Sequence, residues 1–289
     1  MRKQAQRNWD RRLTLVRLRA ALLAPIPAVV SAAEATKRLR VGTNVLNNDF
    51  RHPVLVAREA ATVDLLTDGR FELGLGAGHM QTEYDQAGLR FDPGGTRVER
   101  LGEAVTIIKG LLGGEQVTFA GRHYRVTGHT IHPLPVQRPR PPILIGGNGR
   151  RILTLAAKEA DIVGLSGITF RGGGTEPDLS AWKTAAVDER VRLVQEAAGD
   201  RYDRLELSAL VQRVVVTDNL RQAAEELAKR WTQLSAEEIL QSPYALVGTV
   251  DHLVEELRRR RDRWGISYYI IFEPYMDAFA PVVARLAGR

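Results

Sequence analysis

The sequence predicts an α/β fold of the (β/α)8 TIM-barrel type, and three observations carry that expectation. From residue 25 onward, short β-rich runs alternate with amphipathic helical patterns, which is the signature of parallel βα units. The clearest strand, FELGLGAG, is continuously apolar but for Glu72, as suits a parallel strand covered on both faces. The glycine motifs that follow the strands lack the dinucleotide fingerprint, which sets aside a doubly wound nucleotide-binding sheet.

The first unit is a strand, RLRVGTNVLN (38–47), followed by a helix from about Val54 to Leu66 with Val54, Leu55, Ala61 and Leu65 as its apolar positions. Pro53 stands at the helix start, where a missing N–H leaves nothing unpaired. TDGR then turns into the strand FELGLGAG (71–78), and no helix is expected directly after it. The next helix runs over 96–112, with Val98, Leu101, Val105, Ile108 and Leu112 as its inner stripe. Residues 113–139 break the rhythm: alternation around AGRHY predicts a β-hairpin, and the prolines after it predict a loop.

The rhythm resumes with the strand PPILIGG, the helix RRILTLAAKEA, the strand DIVGLSG, a loop at RGGGTEPD, a helix over 179–198 and the strand RLELSALVQRVVVT. Helices are expected over 218–232, 235–241 and 249–263, then the strand GISYYIIFEP (265–274) and a short terminal helix. Six such units fit either a doubly wound sheet or most of an eight-stranded barrel. In the first case a third glycine should stand where Ile152 follows Gly147, Asn148 and Gly149, and GLGAGHM lacks it too.

Composition narrows the function classes. The 289 residues carry 41 basic and 34 acidic side chains, a net charge of +7 that suits anionic ligands. The basic residues are scattered, and the densest run, ELRRRRDRW, interleaves acidic residues and the apolar Leu257 as a solvated helix face does. Nucleic acid is therefore not an expected partner. With no cysteine, disulfides, thiolate metal sites and cysteine nucleophiles are excluded. No apolar run approaches the ~20 residues of a membrane span, and LRAALLAPIPAVV is interrupted by Pro25 and Pro27. The expectation is a cytoplasmic protein with no membrane partner.

PILIGGNGRRILTLAAKEA (142–160) runs from strand through glycines into a helix. Unshielded N–H groups beside the positive end of a helix dipole form a site for an anion such as phosphate; a tight turn with no ligand is the plain alternative. His79 follows a glycine-rich strand end, which in a barrel lies on the catalytic face; a surface-loop histidine with no role is the alternative of equal weight. Asn44 sits in a strand that disfavours it, as a bulge would allow. His129 and His132 have no carboxylate beside them and predict no metal site. Ser166 lacks the nucleophile-elbow context, and Glu72, Glu99 and Glu103 read as ordinary polar-face residues.

Together, RLRVGTNVLNNDFRHPVLVAREAATVDLLTDGRFELGLGAG, TRVERLGEAVTIIKGLL and PPILIGGNGRRILTLAAKEADIVGL resemble the bacterial luciferase-like superfamily, in its F420-dependent oxidoreductase branch. The resemblance covers about residue 24 to the end and implies a (β/α)8 barrel that binds coenzyme F420, or FMN as the alternative, at the C-terminal strand ends. It implies a bulge at Asn44 and Val45, often with a non-prolyl cis peptide, against the cofactor's middle ring. It also implies a barrel mouth at Gly78 and His79, His79 being the catalytic candidate, and a phosphate corner at Gly146, Gly147, Asn148 and Gly149. The implied reaction is hydride transfer with a small organic substrate, or monooxygenation with FMN.

Members of that family begin with a strand, a helix and a second strand ending in an Asp-His pair, and no such pair lies before residue 40. The expectation is an atypical segment over 1–23, a barrel domain over 24–289 and a barrel whose first βα unit is missing or replaced. The rival expectation is an inactive barrel that only binds a cofactor or packs on a partner subunit, a second copy included.

Overall fold

The computed structural model describes residues 23–171 and 176–286. In chain order, helix α1 (Pro25–Glu34) leads to strands β1 (Val41–Gly42) and β2 (Leu46–Asn47), then α2 (Pro53–Leu66), β3 (Phe71–Gly76), α3 (Gln81–Gln86) and α4 (Gly94–Leu112). The hairpin β4 (Val117–Ala120) and β5 (Arg125–His129) precedes β6 (Ile143–Gly147), α5 (Arg150–Glu159) and β7 (Ile162–Leu165). A second hairpin, β8 (Thr169–Arg171) with β9 (Glu176–Asp178), is followed by α6 (Thr184–Ala198), β10 (Glu206–Val211), β11 (Arg213–Val216), α7 (Leu220–Arg230) and α8 (Ala236–Gln241). The last elements are β12 (Ala245–Gly248), α9 (Val250–Trp264), β13 (Ile266–Ile271) and α10 (Met276–Leu286).

The central sheet is parallel throughout, in the order β1-β3-β6-β7-β10-β13 with β2 also paired to β3. It is an α/β half-barrel. Along β3 the two faces separate by the strand period. Phe71, Leu73 and Leu75 join Ala57, Ala60 and Ala61 of α2 and Leu101, Val105 and Ile108 of α4 in the main core. Glu72, Gly74 and Gly76 point the other way, into the curl.

Across that curl the Tyr268 hydroxyl of β13 donates to Glu72 Oε2 at 3.3 Å, and Arg40 pairs with Glu72 Oε1 at 2.7 Å. The edge strand β13 thereby reaches across to β3, next to the opposite edge. Burial, with the Glu72 charge beside it, pushes the Tyr268 phenol up to about 12, so it stays protonated and able to donate.

Several elements differ from expectation for physical reasons. Leu55 and Leu65 lie outward at 53% and 46% exposure, while Val56, Ala57, Ala60, Ala61 and Val63 face the core; small alanines let α2 approach the sheet closely, and hydrophobicity alone ranks them below leucine. A short helix, α3, does follow β3. The strand expected over 204–217 divides at Gln212, whose N–H turns to the Tyr244 carbonyl at 2.8 Å. Its first half pairs with β7 and β13, and its second half with β12. β12 itself was not expected, because four apolar residues between two helices show no period. Glu72 is buried at 8% exposure, not a polar-face residue. Glu103 accepts the N–H groups of Arg122, His123 and Tyr124 and so holds the β4–β5 turn. The expected loop at RGGGTEPD is in part the β8–β9 hairpin, and the reading of residues 1–22 lies outside the described residues. No helix among the described residues is long and apolar enough to cross a membrane.

The Tyr268–Glu72 bond is testable. Tyr268→Phe is expected to lower unfolding free energy by about 1 kcal/mol in urea titrations, and to cost less than about half of that in a Glu72→Gln background, a double-mutant cycle that isolates the pair.

Candidate active site

The site grows from a mismatch in register. Gly42 pairs with Glu72, but the next pairs are Leu46 with Leu75 and Asn47 with Gly76. Three residues, Thr43 to Val45, therefore stand against two, Leu73 and Gly74, which is a bulge. The Thr43 hydroxyl fills the interrupted ladder by donating to the Gly74 carbonyl and accepting its N–H, both at 2.9 Å. The Asn44–Val45 peptide at the bulge is cis.

Val45 emerges over a floor of glycines. A Cβ on Gly76 would lie 2.6 Å from Val45 Cγ2, one on Gly146 would lie 3.4 Å from Val45 Cγ1, and one on Gly74 would collide with the Thr43 carbonyl. Side chains at these inward positions would fill the mouth. Val45 and Asn44 remain exposed, so the bulge offers one apolar and one polar group to a ligand on that floor.

At β6 the sequence Gly146-Gly147-Asn148-Gly149 runs directly into α5. Gly149 is the N-cap residue, with no side-chain cap and no acidic residue in the first turn. A Cβ at Gly149 would meet nothing within 4 Å, so the helix start opens onto free space. Asn148 is buried at 6% exposure; its Oδ1 accepts the Gly167 N–H at 3.3 Å, and its Nδ2 is buried without an acceptor. Arg190 of α6 reaches the same corner and donates to the Asn148 carbonyl at 3.2 Å. Helix start, orphan amide and guanidinium thus lie at one corner.

Gly78 has φ +73°, and a Cβ there would collide with the Tyr84 hydroxyl and approach the Asn47 amide at 2.8 Å, so packing by itself requires glycine. Arg97 of α4 donates to the Ala77 carbonyl at 3.2 Å and to the Gly78 carbonyl, while its guanidinium lies 4.1 Å from the Phe91 ring centre. Tyr84 lies 3.1 Å from Asn47 Oδ1 and 3.0 Å from Asp49 Oδ2, and Arg100 links Asp49 to Asp92. These clamps fix the strand end that carries His79. The His79 ring stacks on Phe170 of β8 with centres 5.2 Å apart. Partial burial lowers its pKa below 6.5; the Glu83 carboxylate opposes this and the Arg97 charge adds to it. His79 is therefore a neutral imidazole at pH 7.

A family model described as luciferase-like monooxygenase matches residues 17–267. The chain belongs to that family. It is 32% identical over 245 residues to an F420-dependent glucose-6-phosphate dehydrogenase of Nakamurella multipartita, covering 84% of this chain and 66% of that one. A 4-hydroxyprotoasukamycin monooxygenase of Streptomyces nodosus subsp. asukaensis is 27% identical, with 82% of this chain and 68% of that one covered. The chain thus spans about two thirds of these relatives' length. The F420-dependent tetrahydromethanopterin reductase of Methanopyrus kandleri superposes with a TM-score of 0.71 at 16% identity, covering 91% of this chain and 86% of that one; at that identity the likeness is one of fold.

In this luciferase-like chain the residues singled out from sequence fall at one end of the sheet. Asn44, Val45, Gly78 and His79 lie at the ends of the first strands, and Gly146, Gly147, Asn148 and Gly149 at the end of β6 and the start of α5. Reading by sequence missed Thr43, Arg97 and Arg190. Threonine in a strand carries no signal of a hydroxyl replacing a ladder bond, and the arginines come from helices far along the chain.

The lowered His79 pKa has a defined pH consequence. As pH falls through about 6.5 the unfolded chain takes up this proton first, so the group subtracts stability on the acid side, and the loss levels off below the folded pKa. Proton NMR of the folded protein is expected to place the His79 midpoint below 6.5, with Arg97→Gln raising it and Glu83→Gln lowering it.

Proposed function

We propose that the protein is a luciferase-like oxidoreductase that binds coenzyme F420, with FMN as the alternative, and transfers hydride between it and a small organic substrate. Its named relatives include F420-dependent dehydrogenases and an FMNH(2)-dependent dimethylsulfone monooxygenase of Pseudomonas putida. The observation that carries the reading is the anion corner: the buried, unpartnered Asn148 Nδ2 beside the uncapped start of α5. Those groups fit the phosphate of either cofactor. The glycine floor and Val45 fit a flat ring, which bare backbone can approach closely.

When bound, the deazaflavin supplies the hydride chemistry. The chain's own residues bind and orient. Asn148, the first-turn N–H groups of α5 and Arg190 would hold the phosphate end; Val45 and the inward glycines would set the ring's face. Neutral His79, stacked on Phe170, has one ring nitrogen free of a proton and one carrying it, so it can take a proton from a substrate hydroxyl or return one. Arg97 and Tyr84 act through the Ala77–Gly78 backbone to place it.

The test is a fluorescence titration of the purified chain with F420 and, separately, FMN. Saturable F420 binding is expected. Asn148→Asp keeps the acceptor for the Gly167 N–H but sets an anionic oxygen where Nδ2 was, and is expected to weaken binding at least about tenfold, about 1.4 kcal/mol, with the melting temperature held within a few degrees. Failure of both cofactors to bind overturns the reading, and binding without turnover on any alcohol or aldehyde offered would favour an inactive barrel.

A further inference from the structure

Exposed apolar side chains share the inward side with the glycine floor, and the Tyr268–Glu72 contact shows which residues of β13 point inward. β3 and β13 belong to one parallel sheet, so both run the same way from that pair. By the strand period Gly76 and Phe272 lie on the same inward side, each two pleats beyond its member of that pair. Phe272 keeps an extended backbone, φ −77° and ψ 148°, and is 44% exposed. Val45, with its Cγ2 against Gly76, is exposed on the same side. Phe170 and Met80, 38% and 37% exposed, lie at neighbouring strand ends, and Phe170 is tied to the mouth by its stack on His79.

Large apolar side chains left in water at one concave face mark a binding surface more often than chance exposure. Arg97 already holds the carbonyls of Ala77 and Gly78 and Arg213 the Tyr275 hydroxyl at 2.9 Å, while Arg190 belongs to the phosphate corner of the functional reading above. The charge felt most at His79 is the Glu83 carboxylate, which repels an anion.

We propose that the substrate taken between Val45 and Phe272, under Phe170, is an uncharged, largely apolar molecule and not a phosphorylated one. This rests on the functional reading above for its chemistry, but the surface can be tested without the cofactor. The experiment titrates the full chain, free of cofactor, with the neutral dye Nile red, then competes it with decanol and with glucose 6-phosphate.

Saturable dye fluorescence, displacement by decanol and none by glucose 6-phosphate are expected. Phe272→Asp and Phe170→Asp should each weaken dye binding at least about tenfold while the protein melts cooperatively. Phe170 lies on a hairpin outside the main core, so its variant decides the matter if Phe272→Asp does not fold. Displacement by glucose 6-phosphate as effective as by decanol, or dye affinity unchanged in a folded variant at Phe170, overturns the proposal. Because no cofactor is present, failure to bind F420 or FMN would remove the functional reading and leave this one standing, and the reverse holds equally.

Discussion

The mouth of this half-barrel hangs on one side chain. Where three residues of the first strand segment face two of β3, the backbone ladder cannot continue, and the Thr43 hydroxyl takes over both of its bonds to Gly74. Without that substitution two buried peptide groups would lose their partners, a cost of about 1–3 kcal/mol each. With it, the chain absorbs an extra residue, and Val45 turns out over the glycines instead of into the core. The glycines at positions 74 and 76 follow from the same constraint, since a side chain there would collide with the Thr43 carbonyl or with Val45.

A second set of contacts holds the two ends of the site at fixed separation. The end of β3 is clamped by Arg97 through its carbonyls and by Tyr84 through Asn47 and Asp49. The end of β6 is clamped by Arg190 and by the Asn148–Gly167 bond to the loop after β7. Both clamps are built on the buried parallel sheet, so these groups are held in place in the free chain. Asn148 Nδ2, buried without an acceptor, belongs to the residue just before the uncapped start of α5. Burial of an unpaired N–H is unfavourable in the free chain and is relieved by an anionic acceptor.

Much of this was legible in the order of residues. The alternation of apolar strands with amphipathic helices is local, and it placed α2, β3, α4, the β4–β5 hairpin, β6, α5 and α9 within a few residues of where they lie. Failures came where local signal and tertiary demand part. Leu55 and Leu65 look like core and face water because alanines suit the helix–sheet distance. β12 is too short to show a period, and Glu72 is polar yet buried because a partner arrives from β13.

The sequence by itself determined the succession of βα units, the family to which it belongs and the glycine corner entering α5, since each depends on neighbours within a few positions along the chain. Only the tertiary structure decided what those features meet. Arg190 finds Asn148 across 42 positions and Tyr268 finds Glu72 across 196, and the inward side of β13 follows from the second. Such partners depend on strand register and on the curl of the sheet. Those are set by the packing of the whole core, and no window of the sequence contains them.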